Sequence, residues 1–417
     1  MALLRATGTF NIGTGALGTT VDVTTTDPDH GTFQPKVVVF WWSGRTAVGQ
    51  GEGNHKCGWG YMVGAADRGG VTSQSQHAAA SSVTHASIFD DAAIKLLTTA
   101  GVVDGAADFD SWLATGARLI IDDVFTADYL IHYLALGGTD LTDVASVTVA
   151  QPAATGDQNV TTIGFRPDCA LFFVGPGGLA MNGIGTGDAI CFGAAAGRTP
   201  VSALMAGNSQ QAQATMDTIG YCRAGECIAV AVGAPGSVIR RASLTGWLAD
   251  GFRLTWAEVT STLNLRALCL KGGQYALGDA LTSTGTTNQT EATPFQPKAL
   301  LVVSHGKAES TVDTIQDHEE FSLGAAVSPT QRHYVSIIDK DAVADSDIGV
   351  ADGTDAMYGN QSTDAAIVTE GLMDLVSFNG PPSPGFDYVM DDADPVAAFF
   401  WYLAIGDAPY RVMFRGA

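Results

Sequence analysis

Three copies of one phrase constrain what this chain can fold into. They read Phe33-Gln34-Pro35-Lys36-Val37-Val38-Val39-Phe40, Phe165-Arg166-Pro167-Asp168-Cys169-Ala170-Leu171-Phe172 and Phe295-Gln296-Pro297-Lys298-Ala299-Leu300-Leu301-Val302. In each, an aromatic, a polar residue and a proline precede an unbroken apolar run. This is how a strand that opens at proline is written, because proline cannot donate to the middle of a ladder. The prolines stand 132 and 130 residues apart. That interval is too long for a solenoid unit of ~20 to 50 residues and close to the size of a small domain.

Two further phrases keep the same step. Gly64-Ala65-Ala66, Gly193-Ala194-Ala195 and Gly324-Ala325-Ala326 form one set. Gly116, Gly251 and Gly385, each followed 21 residues later by Gly137, Gly272 and Gly406, form the other. Between the paired glycines the pattern reads as two short strands around a polar turn. The chain is therefore expected to be all-β, with three tandem homologous β-sandwich-like units over residues 1–140, 141–275 and 276–417, arranged with pseudo-threefold symmetry. The apolar runs after the prolines lack alternation, which predicts burial on both faces.

Some stretches leave alternatives open. Asp90 to Thr99 carries acid at its start and apolar residues at helical spacing, yet the matching parts of the other copies read as strands. Residues 76 to 85 are the least patterned of the first copy. The tail Tyr410-Arg411-Val412-Met413-Phe414 could pair with the first unit and close a ring, or dock on its own unit or a neighbouring subunit.

Charged residues are only 15% of the chain, against about 25% in an average domain. So sparse a charge predicts a surface covered by neighbouring subunits in a symmetric assembly. The net charge of −22 with no basic run excludes nucleic acid as a partner. No apolar stretch approaches the ~18 residues that span a bilayer, so no membrane insertion is expected. The first residues are too soon polar for a secretory signal, which predicts a product made in the cytoplasm. Six scattered cysteines are not a disulfide framework. Cys222 and Cys227 lack a second ligand pair for zinc.

No local cluster of titratable residues marks one copy as catalytic, and no Gly-x-Ser-x-Gly elbow supports any of the histidines. No enzyme activity, cofactor or metal is expected. Gly183 to Gly187 reads as a hairpin rather than a nucleotide loop, and Asp391-Asp392-Ala393-Asp394 as a solvated turn. Trp112 and Trp247 precede repeat glycines by four residues, with Phe378 near the corresponding place, so they mark a repeated core position. The segment from Trp42 to Trp59 departs most from the other copies. It makes Trp42, Asn54, His55 and Trp59 the candidate partner or ligand site, on the expectation that its tryptophans are exposed.

The Phe-x-Pro strand, the Gly251-Phe252-Arg253-Leu254-Thr255-Trp256 phrase and the Leu134-Ala135-Leu136-Gly137-Gly138 ending resemble β-rich repeat proteins of the structural gene clusters of tailed bacteriophages. The resemblance implies a non-enzymatic virion component of the tail tip or tail fibre region. Its partners would be other virion proteins, with a host-surface glycan or receptor as a further candidate. A capsid decoration protein and a carbohydrate-binding receptor module are the alternatives.

Overall fold

The structure is a computed structural model that describes residues 2–187, 189–232, 236–260, 262–308, 315–361 and 368–409. These residues form strands and turns with no helix, so none is available to cross a membrane. The tail at 410–414 lies outside the described residues.

Each repeat builds a seven-stranded and a four-stranded antiparallel sheet. In the first unit the large sheet runs Leu3–Asn11, Leu130–Gly138, Pro35–Trp42, Gly58–Gly64, Asp67–Ser75 and Thr84–Phe89, and is completed by Ile184–Thr186 from the second unit. The second unit's sheet is completed in the same way by Ile315–Asp317 of the third. The third unit's sheet is completed by Gly49–Glu52 of the first. Three arms are thus exchanged in a closed cycle.

The strand after each repeat proline explains the layering. Val37, Val39 and Trp41 enter a core shared by all three units, while Val38, Phe40 and Trp42 enter the core between the first unit's two sheets. Cys169 to Val174 divide likewise between the shared core and the second unit's own, and Ala299 to Val303 between the shared core and the third unit's own. Both faces of these strands are dry, which is why their sequence shows no period of two. The large sheets face one another around a common axis, and the small sheets lie outside.

Asp90 to Thr99 contains the strand Ile94–Leu97, at the edge of the first small sheet. All four of its residues are buried, so tertiary packing overrides the helical spacing. The ladders also realign one repeat. Val38 pairs with Met62, Ala170 with Ala195, and Leu300 with Ala326. Gly60, not Gly64, therefore corresponds to Gly193 and Gly324. At each of these three, a Cβ would collide with a backbone carbonyl in front of the small sheet, that of Ala93, Cys227 or Met357. The sheets can pack this closely only over glycine.

Candidate functional site

Among the described residues, the interunit joint holds buried polar contacts, and a cyclic set of backbone hydrogen bonds, a cap, links the three units. The loop after Ser75 in the first unit matches those after Ser209 and Asp339 in the others. Ala78, Ala212 and Ala342 occupy the same place in these loops, with φ of 55°, 61° and 58°. Their N–H groups donate to the carbonyls of Ser346 (2.7 Å), Ser82 (2.8 Å) and Met216 (2.9 Å) of neighbouring units. In return the N–H groups of Ser346, Ser82 and Met216 donate to the carbonyls of Ala79 (3.0 Å), Gln213 (2.9 Å) and Val343 (2.9 Å). Six backbone bonds thus tie the units together. Holding three alanines in the left-handed region is a local cost that the cyclic pairing offsets.

Just inside this cap, each arm returns toward the axis. His55 stands across the ladder from Ser75, and Glu319 across from Asp339. His55 Nε2 lies 3.3 Å from Asp339 Oδ1, joining the first unit to the third, and both side chains are fully buried. A Cβ on Gly207 of the second unit would strike the Glu319 carboxylate, so Glu319 presses against a neighbour as well.

Further along the seams, three matching positions use different chemistry. His132 of the first unit meets Asp352 of the third at 2.8 Å, with Ser43 hydrogen-bonded to the same carboxylate. Arg266 of the second unit donates to Tyr61 Oη at 2.8 Å and to the Arg68 carbonyl at 3.1 Å in the first. Trp401 of the third stacks on Phe192 of the second, ring centroids 6.0 Å apart. Ser43, Asp352 and His132 do not form a nucleophile–base pair. The carboxylate stands between hydroxyl and imidazole, and the Ser43, His132 and Asp352 side chains are all closed to solvent.

Of the four residues singled out in the first-unit segment, the structure places Trp59 and His55 in this joint, Trp42 in the first unit's own core and Asn54 on the surface. Trp42 is 0% exposed inside its own sandwich. Trp59 is 1% exposed in the shared core, edge-on to Phe192 and Phe321 of the other two units at 5.7 and 5.4 Å. The expectation that these tryptophans are exposed anchors is therefore corrected. Their segment carries the Gly49–Glu52 arm, as the matching segments of the other two units carry theirs, and its indoles fill core space. His55 is buried, and Asn54 is exposed and accepts the His77 N–H at 2.8 Å. Gly183 to Gly187 carries another arm.

Other acidic groupings are satisfied. Asp27 bonds Arg5 and His30. Glu52, His77 and Asp347 lie together, but His77 Nδ1 accepts the Ile348 N–H at 3.1 Å and Lys340 neutralises Asp347 at 2.7 Å. Asp394 is buried and bonds Tyr358 and Asn360, and burial holds its carboxyl above the usual range. Trp112, Trp247 and Phe378 occupy matching ladder positions, opposite Ala117, Phe252 and Phe386, and are half-buried against their cores. All six cysteines are buried and none is in a disulfide. A cleft of 550 Å³ between the second and third units is lined by Arg166, Arg198, Gln274 and Tyr275 among others.

No family model matches the chain, and no curated protein does. Among solved structures it is similar to a variant fructofuranosidase from Schwanniomyces occidentalis complexed with fructosylnystose. The identity is 8%, over 95% of this chain and 97% of that one, with a TM-score of 0.13. A likeness at that level carries no argument about fold or function.

Proposed function

We propose that this chain is a non-enzymatic structural component of a tailed bacteriophage virion, in the tail tip or tail fibre region, where it joins other virion proteins. The observation that carries this reading is the closed exchange of three arms, which lets one chain stand where a trimer would. A threefold building block that cannot dissociate suits a site on the threefold part of a tail. The low charge of the chain accords with burial among neighbours, and the buried Ser43–Asp352–His132 group with a joint rather than a reactive centre. The Arg166–Tyr275 cleft is the place where a host glycan would meet this protein.

Mass spectrometry of purified particles, with microscopy of antibody-labelled virions, tests the reading. Label at the tail tip is the expected result. Label over the head would favour capsid decoration, and absence from particles would overturn the virion reading altogether. Incubation with host polysaccharides and ester substrates is expected to give no turnover. Reproducible cleavage abolished by a single Asp, Glu or His substitution would overturn the non-enzymatic part.

A further inference from the structure

The three seams between units match in backbone and differ in what fills them. Arg5, Val144 and Tyr275 face Leu136, Leu270 and Ile405 across the ladder, and these in turn face Val37, Cys169 and Ala299 behind the repeat prolines. The three residues thus hold one repeated place, where each unit meets the one before it. At the seam of the third and first units that place is plugged by the protein itself. Val23, Val160 and Glu291 stand opposite Ala117, Phe252 and Phe386, the residues after the repeat glycines. From there to Phe33, Phe165 and Phe295 the chain advances ten, five and four residues. The first unit's surplus is the small hairpin of Thr26–Asp27 and Gly31–Thr32. Its Asp27, fully buried, holds Arg5 at 2.9 Å, and its Asp29 holds Arg5 at 2.9 Å and Lys298 of the third unit at 3.7 Å. Two permanent cations there meet two carboxylates.

The seam of the second and third units has no such insert and stays open. Its cleft of 550 Å³ falls in the range of about 300–1,000 Å³ typical of small-ligand sites. Two guanidiniums, Arg166 and Arg198, line it with one carboxylate, Asp168. Asp168 accepts the Gly272 N–H at 3.0 Å, and Arg166 approaches it only to 3.6 Å. Arg198 is exposed and, among the described residues, makes no hydrogen bond or ion pair. Tyr275, 6% exposed in the lining, has a buried hydroxyl without a hydrogen-bond partner among those residues. The remaining seam is smaller, at 300 Å³, and its cations are engaged: Lys36 donates to the Leu141 carbonyl at 2.6 Å, and Lys271 pairs with Asp143 at 2.9 Å. Compared with the plugged seam, the second–third cleft is one carboxylate short.

We propose that this cleft binds an acidic sugar, its single carboxylate received by Arg166 and Arg198 where the plugged seam uses its own aspartates. A guanidinium fork matches a carboxylate in two parallel hydrogen bonds. Asp168 sets the rest of the ligand, because it accepts from sugar hydroxyls and repels a second carboxylate, which disfavours an acidic peptide. The inference rests on the reading that a host glycan meets this cleft, and it narrows that glycan to one bearing uronic or similar carboxylated units.

The test is an array of oligosaccharides in matched pairs, each uronic-acid form beside its carboxyl-reduced form, followed by calorimetric titration of the full chain. The expected result is binding of acidic forms at least about tenfold tighter than their reduced partners, and at least about tenfold weaker in Arg166→Ala and in Arg198→Ala. Both side chains are exposed, so the variants should melt as the parent does. Equal affinity for acidic and reduced forms overturns the carboxylate assignment and leaves the glycan reading standing. Absence of binding to either form overturns both at this cleft, while the virion reading is decided separately by the particle measurements. Acidic binding unchanged in the double variant, or matched by an oligo-aspartate peptide, also overturns the proposal.

Discussion

His132 and Asp352, 220 positions apart in the chain, meet at 2.8 Å across the junction of the first and third units, both closed to solvent. Replacing His132 by Ala would leave Asp352 buried with the Ser43 hydroxyl and a distant Arg45 guanidinium at 4.0 Å. The expected loss is about 3 kcal/mol, the scale for removing one partner of a buried pair. Urea unfolding of His132→Ala, Asp352→Asn and the double variant should show strong coupling, with the double variant costing less than the sum. Additive effects would mean the two side chains are energetically separate.

The realigned glycines make a sharp comparison. Gly60→Ala, Gly193→Ala and Gly324→Ala each drive a methyl into a carbonyl and should destabilise by several kcal/mol, or abolish soluble expression. Gly64→Ala, where nothing lies within 4 Å, should stay within about 0.5 kcal/mol of the parent. Thermal melts of the four variants are sufficient to check this.

At the cap, Ala78, Ala212 and Ala342 hold left-handed backbone that costs an L-residue about 1–2 kcal/mol. Glycine would remove that cost while adding about 0.5–1 kcal/mol of unfolded-state entropy. Each Ala→Gly change is therefore expected to be neutral or slightly stabilising, and each Ala→Val clearly destabilising. A loss of more than about 1 kcal/mol in the glycine variants would show that the methyl groups themselves matter.

Acid should loosen the joint through His333. Burial, reinforced by nearby His132, lowers its pKa to about 3. The unfolded chain takes up this proton near pH 6.5 and the folded chain does not, so stability is present above 6.5 and lost progressively as pH falls toward 3. Between pH 7 and 5 the loss from this group is about 2 kcal/mol. Asp374 acts oppositely, because burial raises its carboxyl to about 6 despite Arg332, so its protonation favours the fold in the same range. His333→Gln should flatten the acid side of the stability profile measured by urea unfolding at several pH values. An unchanged slope would show that other groups dominate it.

The sequence disclosed the architecture wherever side chains carry it. The repeat prolines stand at the heads of matching central strands, and the unalternated apolar runs are buried on both faces. The exchanged arms stayed hidden because their pairing is backbone to backbone. Gly49-Gln50-Gly51-Glu52 has no apolar pattern, and its partners lie about 300 residues away. The same holds for the cap, part of which is the stretch 76–85 that looked least patterned, since its cyclic bonds run between backbone groups that no residue pattern marks. Gly64 was matched to Gly193 by local spelling, whereas the ladder shifts the correspondence by four residues. Leu3–Asn11 proved to be the first unit's own counterpart of Asp143–Ala150 and Gln274–Leu281, a role concealed by its mixture of Arg, Thr, Gly and Asn after the opening leucines.

The circular loan of arms has a consequence for how this protein comes into being. As the ribosome releases the chain, the first unit's large sheet cannot be finished until Ile184–Thr186 has emerged, and the second unit's waits for Ile315–Asp317. The earliest arm, Gly49–Glu52, finds its place only after Ile348–Gly353 is made. Contacts of such separation are slow to form and leave strand edges bare meanwhile. Biogenesis should therefore end in a late, nearly simultaneous closure of all three units, and a nascent chain stalled before residue 348 would be a substrate for chaperones or for pairing with its neighbours.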